Sequence, residues 1–151
     1  MRRDRRFVAA AVVTTILSFT GTPASAFHYR PVALDALREK ADRAQPRDKC
    51  FLYARLISQM TELADNQLNS GDSGEAMETL DSMRRYAEKI HLDVSADAKN
   101  LKSAELLLRH TTIRLKGMLL EASFEDRPAL ETTLHKVDQI QAQLMLQVFK
   151  K

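Results

Sequence analysis

Apolar side chains return every third or fourth residue along most of this chain, the period of a helix with one face turned from water. No run alternates apolar and polar residues as a half-buried strand would. The first helical segment predicted in this way is short, from Val32 to about Arg43, between Pro31 and Pro46. A longer one, about Asp48 to Leu68, carries Cys50, Ala54, Ile57, Thr61, Ala64 and Leu68 on one side, widened by Leu52, Leu56 and Leu63. The next, about Ser73 to His91, carries Ala76, Leu80, Met83, Ala87 and Ile90, with acids early and Arg84, Arg85 and Lys89 late, as the helix dipole favours. A fourth segment runs from about Ser95 to Ala122. The fifth starts near Asp126 with Pro128 in its first turn and carries Leu130, Leu134, Val137, Ile140, Leu144 and Val148.

Turn residues fall between these segments. Asn69-Ser70-Gly71-Asp72-Ser73-Gly74 reads as a tight connection, with Asp72 or Ser73 able to cap the next helix and Glu75 placed for a capping box. Four long helices joined by short turns predict an all-α fold: an antiparallel, up-down-up-down bundle preceded by a short N-terminal helix.

The fourth segment carries two apolar stripes rather than one. Leu101, Ala104, Leu108, Thr111, Leu115 and Met118 form the first; Leu106, Ile113 and Leu120 form a second, set apart by the cationic line Lys102, Arg109 and Lys116. Either the second stripe packs beneath the short helix or another long one, making this segment central, or it stays partly exposed and binds another protein or a second copy. Leu106, Ile113 and Leu120 are therefore the candidate partner-binding residues. The groove beside Gly71 to Ala76 is a further candidate.

The first 26 residues break the pattern and change the picture. A basic start (Arg2, Arg3, Arg5, Arg6), an apolar run from Phe7 to Phe19 and a small-residue end, Thr22-Pro23-Ala24-Ser25-Ala26, have the order of a cleavable export signal, with Ala24 and Ala26 as the cleavage pair. The apolar run falls short of the roughly 20 residues a membrane span needs. The expected organisation is thus a signal peptide (1–26), an N-terminal arm with a short helix (27–47) and a helical bundle (48–151), periplasmic or secreted from a bacterium, with no stable membrane span after cleavage.

Charge follows from that cut. The whole chain has 23 basic and 20 acidic residues; four basic and one acidic leave with the leader, so 19 of each remain. The processed chain is formally neutral, which removes the electrostatic case for a nucleic-acid partner. Cys50 alone cannot form an internal disulfide; its place on an apolar stripe predicts burial, against the alternatives of a covalent dimer link or a reactive thiol beside Lys49.

Met60 to Glu88 resembles a single tetratricopeptide-like helical hairpin: Leu63, Ala64, Gly71, Ala76 and Leu80 match the family pattern, and Gly71 to Ala76 is similar to its turn. Met60, Gln67, Met83 and Glu88 depart from it, and no second copy follows. The resemblance implies a helical hairpin and peptide or protein binding in a groove. More broadly, Asp48 to Ala54 and the leucine-rich helix after it resemble uncharacterised small exported bacterial helical proteins.

Candidate chemistry is thin. Glu88 and His91 have the Glu-x-x-His spacing of a carboxylate metal bundle, but such centres need a second copy. The alternative to a protein-binding module is a haem- or metal-binding four-helix bundle, with His110 or His135 and a methionine from Met60, Met77, Met83, Met118 or Met145 as ligands. No nucleophile elbow, zinc-hydrolase motif or phosphate loop is present. The sequence therefore predicts a non-enzymatic interaction or structural module of the bacterial envelope, with a protein partner or self-association, no catalytic residue, no cofactor and no metal.

Overall fold

The computed structural model describes residues 31–93 and 99–149; the expected leader, with Ala24 and Ala26, lies outside the described residues. Five helices follow in order: α1 (Pro31–Arg43), α2 (Pro46–Ser70), α3 (Ser73–Asp93), α4 (Leu101–Glu121) and α5 (Arg127–Phe149). No strand occurs among the described residues.

Local chemistry explains the boundaries. Pro46 opens α2 instead of lying in a break before it, because the first helical position needs no N–H, and Gln45 before it is extended (φ −64°, ψ 147°), as a residue preceding proline prefers. Gly71 closes α2 at φ 83°, where its N–H and that of Asp72 return to the carbonyls of Leu68 and Gln67 at 3.1 and 2.8 Å. Glu75 does not simply close a box on the next helix; its carboxylate accepts from Gln67 Nε2 at 3.3 Å. The fourth helix begins at Leu101 rather than near Ser95. Asn100 ahead of it holds a left-handed backbone (φ 58°), which asparagine tolerates better than most residues.

Each short connection makes an antiparallel hairpin, α2 with α3 and α4 with α5. The two hairpins then stack so that α2 lies beside α4 and α3 beside α5. Two ties at each helix pair fix the sense of that stacking. The Lys99 N–H donates to the Arg47 carbonyl at 2.8 Å where α2 and α4 start, and Arg114 meets Asp65 at 3.1 Å further along both. At the other pair, Ser73 Oγ donates to Asp126 at 3.3 Å, and Arg84 Nη1 donates to Thr133 Oγ1 at 2.8 Å. Neighbours across the seam are thus parallel, and α3 and α4 do not pack against each other. The expectation that every consecutive pair lies side by side holds within the hairpins and not between them.

The core draws on all five helices. The predicted stripe of α3 is wholly buried, and so are Cys50, Ala54, Ile57, Thr61 and Ala64 of α2 and Leu130, Val137, Ile140 and Leu144 of α5. Burial pushes the Cys50 thiol up to about 12 by desolvation. The helix α1 packs chiefly on α2, and its Leu34, Leu37 and Ala41 join the same core. Its far end is pinned by Asp42, which accepts from Lys89 Nζ at 2.9 Å and from the Tyr53 hydroxyl at 3.3 Å, while Lys89 lies over the rings of Tyr86 and Tyr53. The Lys89 hydrogen bond holds the Asp42 carboxyl below its usual range, and the same bond raises Lys89.

Candidate partner-binding face

Helix α4 turns Ala104, Leu108, Thr111, Thr112, Leu115 and Met118 inward, where they meet α2 and α5. Its opposite side carries the second stripe. Leu106, Ile113 and Leu120 are 46, 63 and 84% exposed, although side chains of this kind lose about 1.5–3 kcal/mol each by staying in water. The short helix does not cover them, because α1 is spent on α2. Lys102, Arg109 and Lys116 are exposed beside the stripe.

Side-chain ties run from this helix to both of its neighbours. Glu105, one residue from Leu106, is buried, and its carboxylate accepts from Arg109 at 2.7 and 3.1 Å and from Gln141 of α5 at 2.9 Å. A carboxylate that loses water is tolerable when several donors replace it, as here. On the other flank, Arg114 pairs with both Asp65 and Glu62 of α2. The helix that carries the stripe is thus tied to α5 through Glu105 and to α2 through Arg114.

Two exposed apolar features elsewhere on the surface escape the sequence reading. Phe124, in the turn past the end of α4, is 90% exposed. Ala142, Met145, Leu146 and Phe149 form an exposed apolar face at the end of α5. Their i, i+3, i+4, i+7 spacing was a usable signal, hidden by the stronger core stripe of the same helix.

The other candidates are dispersed. His110 and His135 occupy solvent-facing positions of α4 and α5, whereas Met60 and Met83 are in the core. Glu88 is engaged by Lys136, and the His91 side chain lies outside the described residues. No group of three or more His, Cys, Asp or Glu stands in metal-ligating arrangement among the described residues, and no described helix is long and apolar enough to cross a membrane. Beside the Gly71 turn, Glu75 contributes to an open depression of about 350 Å³ between α1, α2 and α3, whose floor includes Met60 and Leu63. Its walls are mostly polar, with Gln67, Glu78, Thr79 and Ser82.

Compared with protein-family models, with curated proteins and with solved structures, the chain matches none.

Proposed function

We propose that this chain is an exported, non-enzymatic helical module that acts by binding protein through the outer face of α4. The observation that carries the reading is the line Leu106, Ile113, Leu120: three large aliphatic side chains in register, each substantially exposed on a helix whose flanks are tied to α5 and α2. A monomer gains nothing from holding such a row in water, whereas a partner that covers it gains the whole of its burial. The cations beside the stripe would form the polar rim that such an interface carries.

The test is a double variant, Leu106→Asp with Ile113→Asp, compared with the parent chain recovered from the cell envelope. Helicity should be unchanged, because neither side chain contributes to the core, while co-purified protein or oligomer in light scattering should disappear. Loss of the fold would reassign the stripe to the interior. Equal association by both chains would remove this face from the function.

A further inference from the structure

We infer that the end of the bundle opposite the two hairpin tips docks on an anionic lipid surface, with the last turns of α5 entering it. This goes beyond the binding role proposed for the outer face of α4 and uses a different apolar face. Charge layout is the first observation. The bond from Lys99 to Arg47 places the starts of α2 and α4 together, and the hairpins bring the ends of α3 and α5 to the same side, where α1 also finishes. Exposed cations collect there: Lys40 and Arg43 on α1, Arg47 on α2, and Lys99 and Lys102 at the start of α4. Lys150 and Lys151 follow α5 in the sequence. Glu39, Asp42 and Asp48 offset part of this charge, as do Asp93 and Asp97 in the sequence leading to α4, and a positive surplus remains. The hairpin tips carry the reverse, with Asp72, Glu75, Glu78, Glu121 and Glu125 exposed against Arg127. A chain that is neutral as a whole but sorted by end is turned by a negative plane, cationic end first.

Apolar side chains sit at that same end. Ala142, Met145, Leu146 and Phe149 share one face of the last turns of α5, with Leu146 60% and Phe149 79% exposed. The bond from Gln141 to Glu105 marks their level: Met145 lies one turn beyond it on α5, and Lys102 about one turn beyond it on α4. Eight residues of α5 follow Gln141 and four of α4 precede Glu105, so α5 reaches about 6 Å further at roughly 1.5 Å per residue. No acid occurs from Gln139 to Phe149, and every polar position there is glutamine. Anionic headgroups therefore meet nothing on this stretch that repels them. Its apolar face can enter the acyl boundary while the lysines lie among the headgroups.

The spread of the cations selects lipid over a folded acidic partner. They are dealt across α1, α2 and α4, a row of neighbouring helices, rather than ringing one groove. A fluid sheet of headgroups satisfies such a spread, whereas a folded surface would have to match it point by point. Leu120 and Phe124 at the other end are as exposed, but Glu121 and Glu125 stand beside them. Apolar exposure is thus found at both ends, and only one end pairs it with positive charge.

The experiment uses the full coding sequence, with the chain purified as the cell processes it. Vesicles of equimolar phosphatidylglycerol and phosphatidylcholine should float the chain at low salt, and vesicles of phosphatidylcholine alone should leave it behind. Leu146→Asp with Phe149→Asp, and separately Lys99→Glu with Lys102→Glu, should each weaken binding roughly tenfold or more without changing the helical circular dichroism signal. The chain has no tryptophan, so Phe149→Trp supplies a single probe, whose emission should shift to the blue on the anionic vesicles and be quenched by brominated acyl chains. Phe124→Trp should show neither change. Equal flotation on both vesicle types overturns the proposal, and so does binding indifferent to Leu146→Asp with Phe149→Asp, which would be attraction to any polyanion. A response from the Phe124→Trp chain alone reverses the orientation and defeats it as well. Absence of flotation, with an acidic protein crosslinked from position 149 in the envelope, gives this end to a protein partner instead.

Discussion

Helices α2 and α4 run side by side in the same direction, each opens a hairpin, and each carries apolar residues beyond the stripe its hairpin partner needs. On α2 the surplus is covered: with α1 laid along it, Leu52 and Leu56 are buried. On α4 the surplus is bare. The same excess of aliphatic side chains therefore has two outcomes, set by whether another stretch of chain is available to lie across it. A wide apolar face is thus a statement that a cover is needed, and it does not say whether the cover is internal or external.

The sharpest way to break the comparison is to shorten one side chain from each surplus. Leu56→Ala should cost about 2–5 kcal/mol in chemical denaturation, because it opens a cavity in a packed interior. Ile113→Ala should fall within about 0.5 kcal/mol of the parent at concentrations where the chain is monomeric. Equal losses would show that the face of α4 is covered after all. Next in size, Glu105→Ala should cost about 1–3 kcal/mol, by cutting the bond from Gln141 that ties α4 to α5 and the bonds from Arg109 within α4. A null effect there would mean the tie to α5 carries no weight.

Gly117→Ala should act in the other direction, raising stability by roughly 0.5–1 kcal/mol, because an added Cβ meets nothing there. The smallest effect belongs to the pin of α1. Both Asp42 and Lys89 are 44% exposed, so solvent screens the pair and Asp42→Asn should cost no more than about 0.5 kcal/mol. Its pH dependence has a defined sign. The Asp42 contribution is present above the ordinary carboxylate pKa and lost as pH falls through its lowered folded value; that of Lys89 is present below its ordinary pKa and lost as pH rises through its raised folded value. Parent and Asp42→Asn melting curves should therefore converge at acid pH.

Helix period made the five elements legible, and the stripes of α2, α3 and α5 transfer to the core nearly residue for residue. What was not legible is which helices neighbour which. Period reports that a face must be buried but not what buries it, so the parallel stacking of the hairpins and the choice of α2 as the seat of α1 had no signal in spacing. Asn100 was missed as a boundary because asparagine is also an ordinary helix-surface residue, and its left-handed backbone shows only in three dimensions. Glu105 was missed for a related reason. Charged residues are assigned to the surface by default, and a buried carboxylate is recognisable only once its three donor bonds are seen together.

The carboxylate of Asp126 accepts from Ser73 at the tip of one hairpin and from Ser123 beside its own. Most contacts in each hairpin are close in sequence, so each can form early and fast, while a knot between residues 73 and 126 closes only after the two halves have met. Weakening that knot should shorten the lifetime of the assembled molecule and leave the speed of its assembly nearly untouched. The bond between the tips thus serves as a latch on a structure whose pieces are already made.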